Sequence, residues 1–263
     1  MFTKLKATKM GQVFLVNRDI AMNEAEHAYE KTVLEIGPGH GILTLELCKK
    51  AKKVIAVEKD KLLYDELKRN YNLENLQLIN ADFLDLTDKD VDYSSIDIVI
   101  SNIPYVISSE VIAWLVKYKK EAVLCLQKEF VEHMMAASGT RKYTKLSVFS
   151  ALALSISEIM VVDKGNFNPI PSIDSEIIYI RPKQGNNISE EEWKVINALM
   201  QHKKKTVRRA ILDSESYLNT GKKIADMISQ EENYSKRRVF SMSPEELLVL
   251  ARRIIAYQKT KGS

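Results

Sequence analysis

The sequence has little from which a metal centre or a disulfide framework could be built. Its two cysteines, Cys48 and Cys125, stand far apart in apolar runs, and neither has a CxxC partner. They read as reduced, buried thiols of a cytoplasmic protein. Four histidines, His27, His40, His133 and His202, are scattered without ligand spacing, so no metal site is expected. No segment reaches the roughly 18 uninterrupted apolar residues of a membrane span. The nearest, "LSVFSALALSISEIMVV", is cut by serines and carries Glu158. The N-terminal "MFTKLKATKMGQVF" has lysines but no apolar h-region, so neither a signal peptide nor a membrane partner is expected. Internal repeats and low-complexity tracts are missing as well.

What is present suits a packed α/β protein. Apolar residues make up 45% of the 263, ample for a core and for one large domain or one domain plus a small one. Short β-branched runs, "TVLEIG", "KVIAVE", "LQLINA", "IDIVIS" and "AVLCLQ", alternate with the helical patterns "GILTLELCKKA", "KLLYDELKRNY" and "SSEVIAWLVKY". Such alternation predicts a parallel sheet covered by helices on both faces. "SALALSISEIMVV" and "SEIIYIRP" add two strands around "DKGNFNPIPSIDS", giving seven strands with a late antiparallel hairpin, a mixed sheet. After "RPKQGNN" the texture turns helical: "SEEEWKVINALMQHKKKTVRRAILDS", "KKIADMISQ" and "SPEELLVLARRIIAYQ". The first opens on the capping pattern Ser189/Glu192, the last on Ser243, Pro244 and Glu246. A boundary near Lys183 therefore separates an α/β domain, 1–183, from a small all-α domain, 184–263. Residues from 184 onward hold 15 Lys+Arg against 10 Asp+Glu, a net of +5, whereas residues 1–183 hold 24 against 25, a net of −1. An anionic partner is expected to dock on the second domain.

"LEIGPGHGIL" follows the first main strand and opens a helix. Gly37, Gly39 and Gly41 permit a tight turn and close approach of a ligand to backbone. The spacing is GxGxG, not the dinucleotide GxGxxG, and three glycines alone are weak evidence, since a plain turn also uses them. Three acids at strand ends change the balance. Glu35 lies inside its strand, two residues before the loop, where a carboxylate is costly to bury without a cationic partner. Glu58 ends the next strand about twenty residues beyond the loop, the place of a ribose-binding acid. Asp82, in "NADF", ends the third within reach of an adenine amino group; alone it is equally a helix N-cap. Together they describe an adenosine ligand with a positive tail, which matches S-adenosylmethionine better than NAD.

"NIPY" then ends the fourth strand. Asn102 offers a side-chain carbonyl, Pro104 stiffens the backbone and biases its neighbour toward extended geometry, and Tyr105 offers a flat face. A planar base bearing an exocyclic amine fits this set. Two carbonyls can accept the two N–H groups, which turns the nitrogen lone pair toward a methyl donor, while the ring stacks on Tyr105.

In this combination the sequence resembles the ribosomal RNA adenine N6,N6-dimethyltransferase family, most closely its small-subunit branch in archaea and eukaryotes. "GQVFL", "LEIGPGHGILT", "VEKD", "NADF" and "NIPY" match in order and spacing. "LQKEFVEHMMA" with "KYTKLSV", the loop "NFNPIPSIDS" and "QHKKKTVRRAI" extend the likeness over nearly the whole chain. The resemblance implies a Rossmann-like class I methyltransferase fold with a seven-stranded mixed sheet. Its site would have Gln12, Val13, Leu15, Glu35, Gly37, Gly39, Glu58, Asp82 and Asn102 around S-adenosylmethionine. Asn102, Pro104, Tyr105 and Phe167 would surround the target base, with Phe167 as its second face. The implied reaction is dimethylation of two adjacent adenosines near the 3′ end of small-subunit RNA, in a pre-ribosomal 30S-type particle, by a cytoplasmic monomer. Val13 departs from the His or Asn usual in the family. Ile103 departs from the commoner NLPY and is frequent among erythromycin-resistance methyltransferases, which act on large-subunit RNA.

Lys203, Lys204, Lys205, Arg208 and Arg209 crowd what reads as one helix, with Val207, Ala210 and Ile211 interleaved. A charge run of this kind is often only a solvated face. Its place in the basic domain, with the family likeness, points to RNA phosphates. A resistance-type enzyme, a non-catalytic assembly factor and a DNA adenine methyltransferase are the rival readings. Intact Glu35, Glu58, Asp82 and Asn102 argue against lost catalysis, and a DNA enzyme would be expected to carry a separate target-recognition domain.

Overall fold

The computed structural model describes residues 13–185, 188–218, 220–231, 234 and 236–259. Nine strands are assigned among them: β1 Phe14–Leu15, β2 Thr32–Ile36, β3 Lys53–Glu58, β4 Leu76–Asn80, β5 Ile98–Asn102, β6 Glu121–Gln127, β7 Leu154–Val162, β8 Phe167–Asn168 and β9 Ser175–Pro182. The helices are α1 Arg18–Ala25, α2 Ile42–Lys50, α3 Lys61–Asn70, α4 Ser108–Tyr118, α5 Lys128–Met134, α6 Lys145–Ala153, α7 Glu190–Gln201, α8 Val207–Asp213, α9 Glu215–Leu218, α10 Lys222–Gln230 and α11 Pro244–Lys259.

Seven strands form one sheet in the order β4-β3-β2-β5-β6-β9-β7, and β1 and β8 pair as a separate two-stranded ribbon. The strands from β4 to β6 run parallel to their neighbours; β9 runs antiparallel to β6, which makes the sheet mixed. The continuous apolar runs of β3, β5 and β6 are explained by burial on both faces, since helices cover a parallel sheet on each side. Caps set the helix starts locally. Asn17 and Asp60 accept the N–H groups of Asp19 and Leu62 at 2.9 and 2.8 Å, and Ser189 with Glu192 closes a reciprocal capping box on α7.

The chain divides into two compact units: residues 1–131 with 156–182, and residues 132–155 with 183–263. The expected single break near Lys183 differs from this, because the segment 132–155 belongs with the C-terminal helices. Its buried side chains explain the placement. Tyr143, Val148 and Leu152 share a core with Val195, Leu199, Ile211 and Ile254, and the Tyr143 hydroxyl donates to the Met242 carbonyl at 2.9 Å. "SALALSISEIMVV" is likewise not all strand. Ser150–Ala153 finishes α6, whose Thr144/Ser147 capping box sets its start, and β7 begins at Leu154. No helix among the described residues is long and apolar enough to cross a membrane.

Candidate active site

In the strand order, the chain moves outward from β2 toward β3 and β4 on one side and resumes at β5 and β6 on the other. The carboxyl ends of β2 and β5 therefore flank the switch point at which open α/β sheets bind ligands. The β2–β5 register runs to Leu34↔Val99. Beyond it the buried Ser101 hydroxyl bridges the two strands, donating to the Ile36 carbonyl at 2.6 Å and accepting the Ile36 N–H at 3.3 Å. Outside this point lies a cavity of about 480 Å³, lined by the ends of β2 to β6 and the loops that follow them.

The glycine loop forms one wall. Gly37 has φ +70° and its missing Cβ would sit 3.2 Å from the Pro104 ring. Gly39 has φ +59° and a Cβ there would sit 2.7 Å from the Phe14 ring. Both positions thus favour glycine for the left-handed backbone, and Gly39 for space as well. The loop is tied to β3 by Gly37 N–H to Val57 O at 2.9 Å and by Gly39 N–H to Glu58 Oε2 at 3.1 Å.

The acids differ in environment. Glu58 is buried, accepts the Asp60 N–H on its other oxygen at 2.8 Å, and has its carboxyl raised by burial against those backbone bonds. Asp82 lines the cavity and also caps the turn after β4, accepting Leu84 N–H at 3.1 Å. Lys59 pairs with it at 2.5 Å and holds it below the usual carboxylate range. Glu35 is 1% exposed, and its Oε2 has no hydrogen-bond partner. Burial pushes it up to about 8; Thr44 pulls the other way and Glu58 adds to the rise. An orphaned buried carboxyl oxygen is costly, and a hydrogen-bond donor, a cation among them, would satisfy it.

Asn102, Ile103, Pro104 and Tyr105 also line the cavity, with Val106 and Ile107, and the Pro104 ring lies against Gly37. The Tyr105 hydroxyl shares a 2.8 Å hydrogen bond with Ser175 Oγ, which fixes the ring against β9. One end of the Asn102 carboxamide meets the Glu24 carboxyl and the other faces donors, and this network assigns the NH₂ group to the Glu24 side. That group donates to Glu24 Oε1 at 3.1 Å and Oε2 at 3.3 Å.

Of the residues expected around the cofactor, Val13, Gly37, Gly39, Glu58, Asp82 and Asn102 line the cavity. Glu35 lies buried in β2 just before the lining residues Ile36 and Gly37, and Gln12 lies outside the described residues. Leu15 is 5% exposed and sits in the core, opposite Phe167 in the β1–β8 ribbon. Phe167, expected as a second face for the base, is 4% exposed in that same core and does not line the cavity. The ribbon register explains both, since paired residues of one register position share a face. Phe14, Lys59, Phe83, Val106 and Gln127 line the cavity without having been foreseen. Phe14 was legible from its place between Val13 and Leu15; Gln127 carries no sequence signal beyond ending a strand.

The basic segment is not one helix. α7 ends at Gln201, residues 202–205 turn, and Thr206 caps α8 by accepting the Arg209 N–H at 3.4 Å. The turn's backbone is held by Phe240 N–H to Lys203 O at 2.9 Å and Val239 N–H to Lys205 O at 3.1 Å. Three of the five bases have internal partners: Lys203 with the Tyr143 carbonyl, Arg208 with Asp226 at 2.7 Å, and Arg209 with Asp213 at 2.9 Å. Lys204 and Lys205 are exposed.

A cavity at the switch point of this sheet, walled by a glycine loop and strand-end acids, is that of a Rossmann-like methyltransferase. Comparison with known proteins narrows the class. Residues 3–248 match the model of the ribosomal RNA adenine dimethylase family. A Thermococcus gammatolerans protein named "Probable ribosomal RNA small subunit methyltransferase A" is 38% identical over 244 residues, covering 91% of this chain and 86% of its own. A Methanosarcina mazei protein of the same name is 35% identical, over 95% and 93%. Among solved structures, a dimethyladenosine transferase from Plasmodium falciparum aligns over 95% of this chain and 98% of its own, at TM-score 0.77 and 25% identity. The 23S rRNA methyltransferase ErmE shares the fold at TM-score 0.58 and 23% identity, over 92% and 99%. The chain belongs to the ribosomal RNA adenine dimethylase family and is an rRNA adenine methyltransferase of the S-adenosylmethionine-dependent type.

Proposed function

We propose that the chain dimethylates N6 of two adjacent adenosines near the 3′ end of small-subunit rRNA, acting as a cytoplasmic monomer on a pre-ribosomal 30S-type particle. The observation that carries the site assignment is the meeting, around one cavity, of the glycine loop, Glu58, Asp82 and the Asn102–Tyr105 turn. Relatives at 35–38% identity bear small-subunit names, which supports that branch over the large-subunit one.

S-adenosylmethionine supplies an activated methyl group on a sulfonium. The residues present fit it. Glu35 offers a carboxyl with an unpartnered oxygen, which a positive tail would ionise, Glu58 keeps lone pairs for ribose hydroxyls, and Asp82 can accept from an adenine amine. Gly37 and Gly39 hold the loop at positive φ, with Pro104 and Phe14 packed against it where side chains would stand. On the substrate side, the Asn102 carbonyl and a backbone carbonyl accept the N6 hydrogens, so the nitrogen lone pair is aimed and less delocalised into the ring. Tyr105, fixed by Ser175, presents a stacking face. The gain is orientation of a weak nucleophile, not proton abstraction by a strong base. Residues 1–131 with 156–182 carry this chemistry, and the second unit holds RNA. There Lys204 and Lys205 contact phosphates, while Lys203, Arg208 and Arg209 are partly occupied by internal partners.

The test is transfer from labelled cofactor to immature small subunits, free small-subunit RNA and large subunits, followed by mapping of the label. Label at adjacent adenosines of the small subunit is expected. Label confined to large subunits would overturn the proposal in favour of the resistance-type reading.

A further inference from the structure

α1 places one carboxyl where the reaction scheme above assigns it nothing. Glu24 is fully buried, 0% exposed, on a helix whose other buried residues are Ile20, Ala21 and Ala25. Burying a carboxyl this completely is costly unless a donor meets it. The donor is the Asn102 side-chain NH₂, which reaches both Glu24 oxygens, at 3.1 and 3.3 Å.

This contact bears on chemistry because a carboxamide has two unlike ends. Turned one way, Asn102 offers a carbonyl to an incoming amine; turned the other, it offers N–H groups to N–H groups and repels it. Once ionised, above about pH 8, Glu24 accepts only and tolerates one of the two orientations; below that its carbonyl oxygen still accepts the NH₂ group. We propose that Glu24 is a positioning residue, which holds the Asn102 amide with its NH₂ toward α1 and so leaves its carbonyl oxygen on the other side, where a remaining lone pair can accept from the target adenine amine. The inference rests on the role given to Asn102 above.

The surroundings of Glu24 set how firmly the lock holds, since they favour the protonated carboxyl. Burial pushes its carboxyl up to about 8, the Asn102 hydrogen bond opposes this, and Glu35 adds to the rise. Cys125, at the register position opposite Asn102 on β6, is also close enough for Glu24 to raise its thiol further, after the larger effect of its own burial. With Glu35 and Cys125 as the other titratable groups it feels, Asn102 is its one donor partner among the described residues. A group buried only for packing would be an aliphatic side chain, which would leave the amide free to turn.

The experiment is a double-mutant cycle between Glu24→Leu and Asn102→Ala, reading kcat at saturating cofactor and RNA, cofactor Kd by calorimetry, and melting temperature. Glu24→Leu is expected to lower kcat about tenfold, with cofactor affinity within about threefold and no loss of melting temperature. In the Asn102→Ala background the same change should cost nothing further, since there is no amide left to orient. Glu24→Gln, whose carbonyl can still accept the amide, should recover most of what Glu24→Leu loses. If Glu24→Leu does not fold, Glu24→Asp carries the same expected loss, because it draws the acceptor back by one bond. Wild-type kcat in Glu24→Leu, or in Glu24→Asp where the Leu variant does not fold, would overturn the proposal. So would an equal further loss in the Asn102→Ala background. Should Asn102→Ala itself keep wild-type turnover, the site reading fails instead, and the two failures stay distinct.

Discussion

The acids at the carboxyl end of the sheet and the bases of the 203–209 segment are both clusters of ionisable groups, and they are built in opposite ways. Glu35 and Glu58 are buried, and Glu35 keeps an oxygen with no partner. The bases are half-buried or exposed, yet three of the five are already paired within their own unit. An unmet polar group in a dry place is expensive and persists where a ligand meets it; charge at a surface is cheap and finds neighbours. Sequence counts treat the two clusters alike. Burial separates them, and it gives the acids the stronger claim to a ligand.

That contrast can be broken most directly at the reacting end. Asn102→Ala is expected to slow methylation by about two orders of magnitude while cofactor affinity stays within a few-fold, because a positioned acceptor acts mainly at the transition state. Single-turnover kinetics beside calorimetry would check it, and wild-type turnover would remove the turn from the active site.

Next in size is the cofactor wall. Gly39→Ala would set a Cβ 2.7 Å from the Phe14 ring at φ +59°, and Glu58→Ala would leave the Gly39 N–H without its acceptor. Each should weaken S-adenosylmethionine binding about tenfold or more, measured by calorimetry. Unchanged affinity in both would move the cofactor elsewhere.

A smaller effect concerns pH. Glu35 is raised from 4.5 to about 8 in the folded chain, so the cofactor-free protein binds a proton there that the unfolded chain has lost. Its contribution to stability is fully present below pH 4.5 and is lost as pH rises toward 8, at ~1 kcal/mol per pH unit. Glu24 shares that window. Glu35→Gln should flatten the decline in chemical denaturation between pH 5 and 8. Cofactor affinity in the wild type should rise over the upper part of the range, as the carboxylate forms to meet a cation. An unchanged stability slope in Glu35→Gln would mean that the carboxyl stays ionised when buried.

The smallest expected effect sharpens the other side of the comparison. Lys204→Ala with Lys205→Ala should reduce the slope of log affinity for small subunits against log salt by roughly 1.5. Arg208→Ala with Arg209→Ala should reduce it by less, because those side chains already face Asp226 and Asp213. Equal slopes in both double variants and the wild type would make the segment a solvated turn.

Much of the site could be read directly from the sequence, for a topological reason. In a parallel α/β sheet the residues that end successive strands emerge on one side, so Gly37, Glu58, Asp82 and Asn102, far apart in the chain, are brought to one cavity by the repeat of strand and helix alone. Local chemistry fixed the helix starts at Asn17, Asp60 and Ser189 in the same direct way.

Other features were settled only by tertiary packing. Leu15 and Phe167 lie in motifs that suggest a pocket, but the β1–β8 register turns both into the core. The lysine run reads as helix because lysine is a good helix former. Thr206 and the backbone pairing of residues 203–206 with 237–240 break it into a turn. The segment 132–155 joins the C-terminal helices through Tyr143, Val148 and Leu152, whose apolar character marks them as core without saying whose. Glu24 is the clearest case. On a helix rich in polar residues nothing distinguishes it from a solvated acid, and its partner is 78 positions away. Sequence periodicity assigns a residue to an element and a face. Which distant group meets that face depends on how the elements pack, and for a buried carboxyl that meeting decides its charge and its use.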